Sequence, residues 1–258
     1  DFGQSIVSIS IFSSNILFWI EAGYFDAAAE LKPLLHTWSL AVEEQYYLLF
    51  PIFLMLTWRL GVKWIIFLLS IVFFSSLGLA EWASNQITQP KIISAAYFLL
   101  PTRVWELLVG VFVAFYLKSN TFFNSKMFNQ MMSLIGIVMI SYSVIAFDKN
   151  TPFPSLYTLV PVIGTALLIL CSVQKTLVYN FLTLKPIVGL GLISYSAYLW
   201  HQPLFAFMRS STLEDLSEFI LISLCVVSIM LAWFSYRFIE TPFRDRSVTP
   251  SNIMVTTL

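Results

Sequence analysis

Apolar runs of about 18 residues or more recur along the whole chain, and no other feature limits its possible folds as strongly. Inside lipid, backbone N–H and C=O groups must be satisfied within the segment itself, so such runs read as membrane-spanning helices. Composition agrees: charged residues make up 11% of the chain and mean hydropathy is +0.81, whereas soluble domains are about a quarter charged. The expected fold class is all-α, a polytopic integral membrane helix bundle of about eight transmembrane helices. They are placed near residues 4–20, 38–58, 64–79, 94–117, 130–147, 156–173, 186–208 and 216–239. Residues 1–244 read as one transmembrane domain and residues 245–258 as a polar tail. Because the chain opens at Asp1 on a membrane-like segment, it reads as a piece of something longer.

Loop charges give an orientation. Arg59, Lys63, Lys118, Lys126, Lys175, Lys185, Arg237, Arg244 and Arg246 follow the even-numbered spans. Lys32, Lys91, Lys149 and Arg209 follow the odd ones, together with the acids Glu21, Asp26, Glu30, Asp148, Glu214, Asp215 and Glu218. The positive-inside rule assigns the first group, and with it the C-terminus, to the cytoplasm. The formal net charge is zero, so no nucleic-acid partner is expected. Cys171 and Cys225 are too few for a disulfide framework and lack metal-ligand spacing, so they read as packing residues and no metal is expected.

Against that apolar background the ionisable groups stand out. The stretch LLHTWSLAVEEQYYLLFP places Glu43 and Glu44 in a segment otherwise built for lipid. Two readings stand for it. Either the acids face a wet or protein-lined interior, which marks a functional site, or the helix starts after Gln45 and they favour its N-terminal dipole at the interface. At 1.5 Å per residue, Glu43 and Glu44 lie about 8–10 Å below the outer face. Arg103 and Glu106 lie about 12–18 Å below it, and His201 about 10 Å. The expectation is one pocket in the outer half of the membrane.

Each group also has a structural reading. Arg103 and Glu106 are spaced i,i+3 and can pair on one helix face, or the guanidinium can clamp an anion. Ser194, Tyr198 and His201 share a face. Pro203 frees the Leu199 carbonyl beside them, a break tolerated mainly where a helix lines a cavity. His36 suits a loop-capping role, Trp38, Tyr46 and Tyr47 suit an aromatic belt, and Gly189 and Gly191 suit close helix approach. Arg237 and Glu240 read as a structural i,i+3 pair. There is no phosphate loop and no nucleophile elbow.

The runs PLLHTWSLAVEEQYYLLFP, TRVWELLVG, ISYSAYLWHQPL and YRFIETP, with a SNILFW…GYFD lead-in, resemble the membrane-bound acyltransferase 3 family. The nearest branch in that likeness is the bacterial O-acetyltransferases of lipopolysaccharide and other surface polysaccharides. The resemblance implies transfer of an acyl group, commonly acetyl, from cytoplasmic acetyl-CoA to a sugar hydroxyl outside the bacterial inner membrane. Acyl-CoA is then a donor substrate rather than a bound cofactor, and the partners are membrane lipid and a glycan or lipopolysaccharide acceptor. Carried over residue by residue, the catalytic positions are Glu43, Glu44, Arg103, Glu106 and His201. The substrate-binding positions are His36, Trp38, Ser39, Tyr47, Ser194 and Tyr198. The family's leading helices, with an Arg and a His that is its main candidate base, are not matched by this sequence. The same buried acids and His also suit a proton-coupled exporter of a polar or lipid-linked sugar. A third reading is a fragment inactive by itself.

Overall fold

The computed structural model describes residues 2–22, 31–86, 88–119, 125–148, 150–212 and 216–244. The Tyr24–Phe25 loop, Asp26, Glu30, Lys149, Glu214, Asp215, Arg246 and the 245–258 tail, all invoked above, lie outside the described residues. Among the described residues the chain is helical and contains no strand. In order the helices are α1 (Phe2–Ser10), α2 (Ser14–Glu21), α3 (Thr37–Thr57), α4 (Val62–Ser84), α5 (Pro90–Phe98) and α6 (Leu100–Lys118). They continue as α7 (Lys126–Ala146), α8 (Leu159–Cys171), α9 (Leu177–Leu182), α10 (Lys185–Ser211), α11 (Glu218–Ser235) and α12 (Thr241–Arg244), the last two joined by a π turn over Tyr236–Glu240.

Five stretches among the described residues are long and apolar enough to cross a membrane: Thr37–Leu60, Val62–Ser84, Pro90–Lys118, Lys126–Ala146 and Glu218–Arg244. The other three expected spans differ, each for a local reason. The first is interrupted between α1 and α2, where Phe12 adopts a φ of 56° and Ser13 turns its N–H onto the Ser8 carbonyl at 2.8 Å. The sixth is a shorter apolar helix, Leu156–Cys171. The seventh, α10, is 27 residues long, but Ser194, Ser196, His201, Gln202, Ser210 and Ser211 dilute its apolar character. It also runs through Pro203 without interruption, so the expected break there is absent.

Helix α3 starts at Thr37, so Glu43, Glu44 and Gln45 lie in its second and third turns. The alternative start after Gln45 is thereby excluded. Between α5 and α6 the chain is extended at Leu99. Pro101 supplies no N–H, and Thr102 Oγ1 donates to the carbonyls of Ala96 (2.7 Å) and Leu99 (2.9 Å) at that break.

Two compact units emerge. Counting described residues only, the larger comprises residues 7–22, 38–86, 88–119, 125–148 and 150–183, and the smaller residues 2–6, 31–37, 184–212 and 216–244. In the larger unit, Asn15 and Gln45 exchange amide hydrogen bonds at 2.9 and 3.4 Å. Asn15 also donates to the Phe98 carbonyl (3.1 Å) and Gln45 to that of Phe12 (2.8 Å). Gln45 is therefore a structural tie between α2, α3 and the end of α5. Tyr46, Ile65, Leu69 and Leu108 form one buried cluster, and Leu77, Ala80 and Trp105 another.

Lipid tails are as apolar as leucine, so membrane helices associate through close packing and hydrogen bonds rather than through the hydrophobic effect. The α7–α8 crossing shows this. A Cβ on Gly136 would sit 2.7 Å from the Gly164 carbonyl oxygen, and one on Gly164 would sit 2.9 Å from that of Gly136. Both obstacles are backbone, so the helices would have to separate. Gly136→Ala is expected to destabilise the protein by about 1–3 kcal/mol, read as a lower thermal midpoint in detergent; an unchanged midpoint would mean that this crossing is loose.

In the smaller unit α10 and α11 run antiparallel. Trp200 Nε1 donates to Ser235 Oγ (2.8 Å) and Ser196 Oγ to Glu240 Oε2 (3.2 Å). The expected Arg237–Glu240 pair is replaced: Glu240 Oε1 takes Arg244 Nη1 at 2.9 Å. The π turn adds a residue per turn just before α12, which brings the i,i+4 partner rather than the i,i+3 one onto the carboxylate.

Candidate functional site

Two clusters of sequence-predicted residues form, one in each unit. In the larger unit, the restart of the helix at Leu100 places Arg103 in the first turn of α6. Its Nη1 pairs with Glu106 Oε1 at 3.1 Å, the two side chains only 13% and 19% exposed. The guanidinium carbon stands 4.6 Å from the Phe153 ring centroid and 5.3 Å from that of Trp38. Trp38 in turn packs against Tyr97 (4.8 Å) and edge-on to Phe98 (5.6 Å). A weakly hydrated, planar cation suits such a site, since ring faces attract it by about 0.5–2 kcal/mol each.

The loop carrying Phe153 is held from both sides. Glu81 Oε2 accepts the Leu156 N–H at 2.8 Å. Asp148 Oδ1 accepts the N–H groups of Asn150 (2.9 Å) and Thr151 (3.1 Å). These bonds, that from the Asn150 backbone first, hold the Asp148 carboxyl below its usual range. Sequence reading missed Tyr97 and Phe153. Tyr97 lies close to Arg103 in the chain, but no spacing rule points to Phe153 in its loop.

The second cluster lies in the smaller unit and joins residues 162 positions apart: the Tyr198 hydroxyl donates to the His36 backbone carbonyl. The His36 ring stands 5.0 Å from the Tyr198 ring and 5.4 Å from the His201 ring, both edge-on. His201 Nδ1 lies 2.6 Å from the Tyr198 carbonyl oxygen. A carbonyl only accepts, so Nδ1 carries the hydrogen and, in the neutral ring, Nε2 carries the lone pair. Gln202 Nε2 donates to the Lys32 carbonyl at 3.2 Å, tying the segment before α3 to the same helix.

Burial, and secondarily the nearby His201, pushes His36 down to about 4 from its ordinary 6.5. Between those values the unfolded chain binds more protons than the folded one. This share of the stability is complete above pH 6.5 and is lost as pH falls toward 4. Acid titration of the thermal midpoint should show that decline, and His36→Gln should flatten it. A midpoint indifferent to pH across this window would place His36 in water.

Ser39 is half-buried on the first turn of α3, and Glu43, Glu44, Tyr47 and Ser194 join neither cluster through a hydrogen bond or ring contact among the described residues. Trp38, Ala41, Val42 and Tyr46 form the buried face of α3. Glu43 and Glu44 are half-buried to either side of it, and among the described residues no cation is paired with them. Tyr47 is exposed, its ring 6.2 Å from that of Tyr46. Ser194 donates to the Gly191 carbonyl of its own helix (2.8 Å). Among the described residues no three His, Cys, Asp or Glu side chains gather as metal ligands would.

A helical membrane chain with a ring-stacked Arg–Glu pair and a His–Tyr–His cluster is what the four motifs describe, and the comparisons name the class. A family model described as an acyltransferase domain matches residues 5–237, and the chain belongs to that family, acyltransferase 3. It is 34% identical over 235 residues to O-acetyltransferase OatA of Staphylococcus aureus (strain NCTC 8325 / PS 47), covering 86% of this chain and 38% of the relative. It is 29% identical over 255 residues to peptidoglycan O-acetyltransferase OatA of Listeria monocytogenes, covering 94% and 40%. An uncharacterized protein of Haemophilus influenzae is 34% identical over 174 residues, covering 64% of this chain and 69% of the relative. The chain thus spans about two-fifths of the OatA relatives' length. The Listeria relative is named for peptidoglycan, where the resemblance implied lipopolysaccharide or another surface glycan. No solved structure matches.

Proposed function

We propose that this chain is the membrane part of an O-acetyltransferase that moves an acetyl group from acetyl-CoA to a hydroxyl of a cell-envelope glycan. The observation that carries the reading is the state of His201: with Nδ1 directed at the Tyr198 carbonyl, Nε2 is the proton acceptor that general-base catalysis on a hydroxyl requires. The acceptor oxygen, losing its proton to Nε2, attacks the thioester carbonyl; the C–S bond then breaks and the departing thiolate is protonated. Arg103, paired with Glu106 and carrying five N–H donors in all, is assigned to an anionic part of the donor. Glu43 and Glu44, acids without a paired cation among the described residues, keep the catalytic assignment that the family resemblance implies. His36, Tyr198, Ser194, Trp38, Ser39 and Tyr47 are assigned to substrate binding.

Among acceptors, peptidoglycan is favoured over lipopolysaccharide by the name of the Listeria relative. Membranes containing the full-length protein, given radiolabelled acetyl-CoA and either glycan, test the proposal. Label covalently retained on glycan, and released by mild base as an ester would be, is the expected result. Translocation of a sugar without any acetylated product would replace this reading with the exporter.

A further inference from the structure

The smaller unit carries a groove of about 540 Å³ between α10 and the α11–α12 segment, and neither the His cluster nor the acyl-transfer proposal uses it. Its walls are bulky and apolar: Tyr195, Leu199, Trp200 and Pro203 on one side, Ile239 and Phe243 on the other. The two small residues lining it are already engaged, Ser196 as donor to Glu240 and Ser235 as acceptor from Trp200. One end of the groove is polar. There Glu240 anchors Arg244 through Nη1 at 2.9 Å while the Arg244 side chain stays 67% exposed.

We propose that this groove binds one anionic phospholipid, its acyl chain along the apolar walls and its phosphate on Arg244. Three observations select that occupant. Helices that pack on one another in membranes meet through small residues, and these walls are large and aromatic, suited to a thin flexible chain. At the polar end the exposed charge is positive: the Arg244 side chain lines the groove and is 67% exposed, whereas that of Glu240 is 20% exposed. Arg244 spends one nitrogen on Glu240, and a planar fork is the side chain best shaped for phosphate oxygens. Basic pockets between membrane helices on the cytoplasmic side are where anionic headgroups bind, and the loop charges assign the Arg237–Arg244 end to that side.

Native mass spectrometry of the full-length protein in detergent, offered phosphatidylglycerol or phosphatidylcholine of identical chains, tests the site. One phosphatidylglycerol per chain should survive collision energies that strip phosphatidylcholine. Arg244→Gln should lower its occupancy about fivefold, the effect of one basic residue near a headgroup, whereas Arg244→Lys should largely keep it. Because Arg244→Gln leaves Glu240 without its cation, Ile239→Trp serves as the second variant. It fills the groove from an exposed position and should abolish retention of the lipid while Arg244 remains. Equal retention of both lipids, or phosphatidylglycerol retention unchanged in Ile239→Trp, would overturn the site. So would a lipid-free dimer that dissociates in Ile239→Trp, since it would put a second copy of the chain in the groove.

Discussion

Arg103→Lys should lower acetyl transfer by about a hundredfold, the scale of loss when a substrate-positioning contact is displaced, while the protein still inserts and folds. Lysine is the informative substitution. Arg103→Ala would strand the Glu106 carboxylate, and breaking a buried pair in this way costs about 3–5 kcal/mol, so lost activity would report only lost structure. Lysine keeps the charge beside Glu106 but lacks the planar fork and cannot stack flat between Phe153 and Trp38. The measurement is kcat and KM for acetyl-CoA alongside the thermal midpoint. A near-normal midpoint with collapsed kcat/KM assigns Arg103 to substrate. Full activity would leave Arg103 and Glu106 as a pair that only closes the helix packing, the structural reading their i,i+3 spacing left open.

The second large effect is expected at His201. His201→Ala removes the lone pair on Nε2 and should cut turnover by about 10²–10⁴-fold, the range for a positioned general base. Its side chain makes one hydrogen bond, to a carbonyl of its own helix, so the loss of structure should be small. Added imidazole should restore part of the rate, which it would not do for a packing residue. A correctly inserted His201→Ala protein with wild-type turnover would remove this residue from the chemistry and leave the base to another part of the full-length protein. Tyr198→Phe, which removes the donor to the His36 carbonyl, should have a milder effect.

Much of this was legible before any coordinates. Long apolar runs specify helices because lipid offers the backbone no other partner, and five of the expected spans appear as such. The Arg103–Glu106 pair follows from helical spacing alone. The three spans that departed did so through local detail that a hydropathy count averages away. Ser13 caps back onto Ser8 and divides the first. The sixth is cut short, and polar side chains are spread along α10. Likewise a motif names His36 and His201 but says nothing of their distance, because 165 residues separate them and helix rotation decides which side chains meet.

The sequence by itself determined the class: an all-helical membrane chain of the acyltransferase 3 family, with the ionisable residues of its apolar segments confined to a few motifs. That much follows from solvent, since a charge in lipid is costly wherever it stands and so is placed sparingly. Only the tertiary structure decided the partners. It set Trp38 and Phe153 about Arg103, gave Glu240 to Arg244 rather than Arg237, and turned His201 Nδ1 onto the Tyr198 carbonyl. These are outcomes of packing, in which a rotation of one residue along a helix turns a side chain by about 100°, and no local pattern encodes that angle.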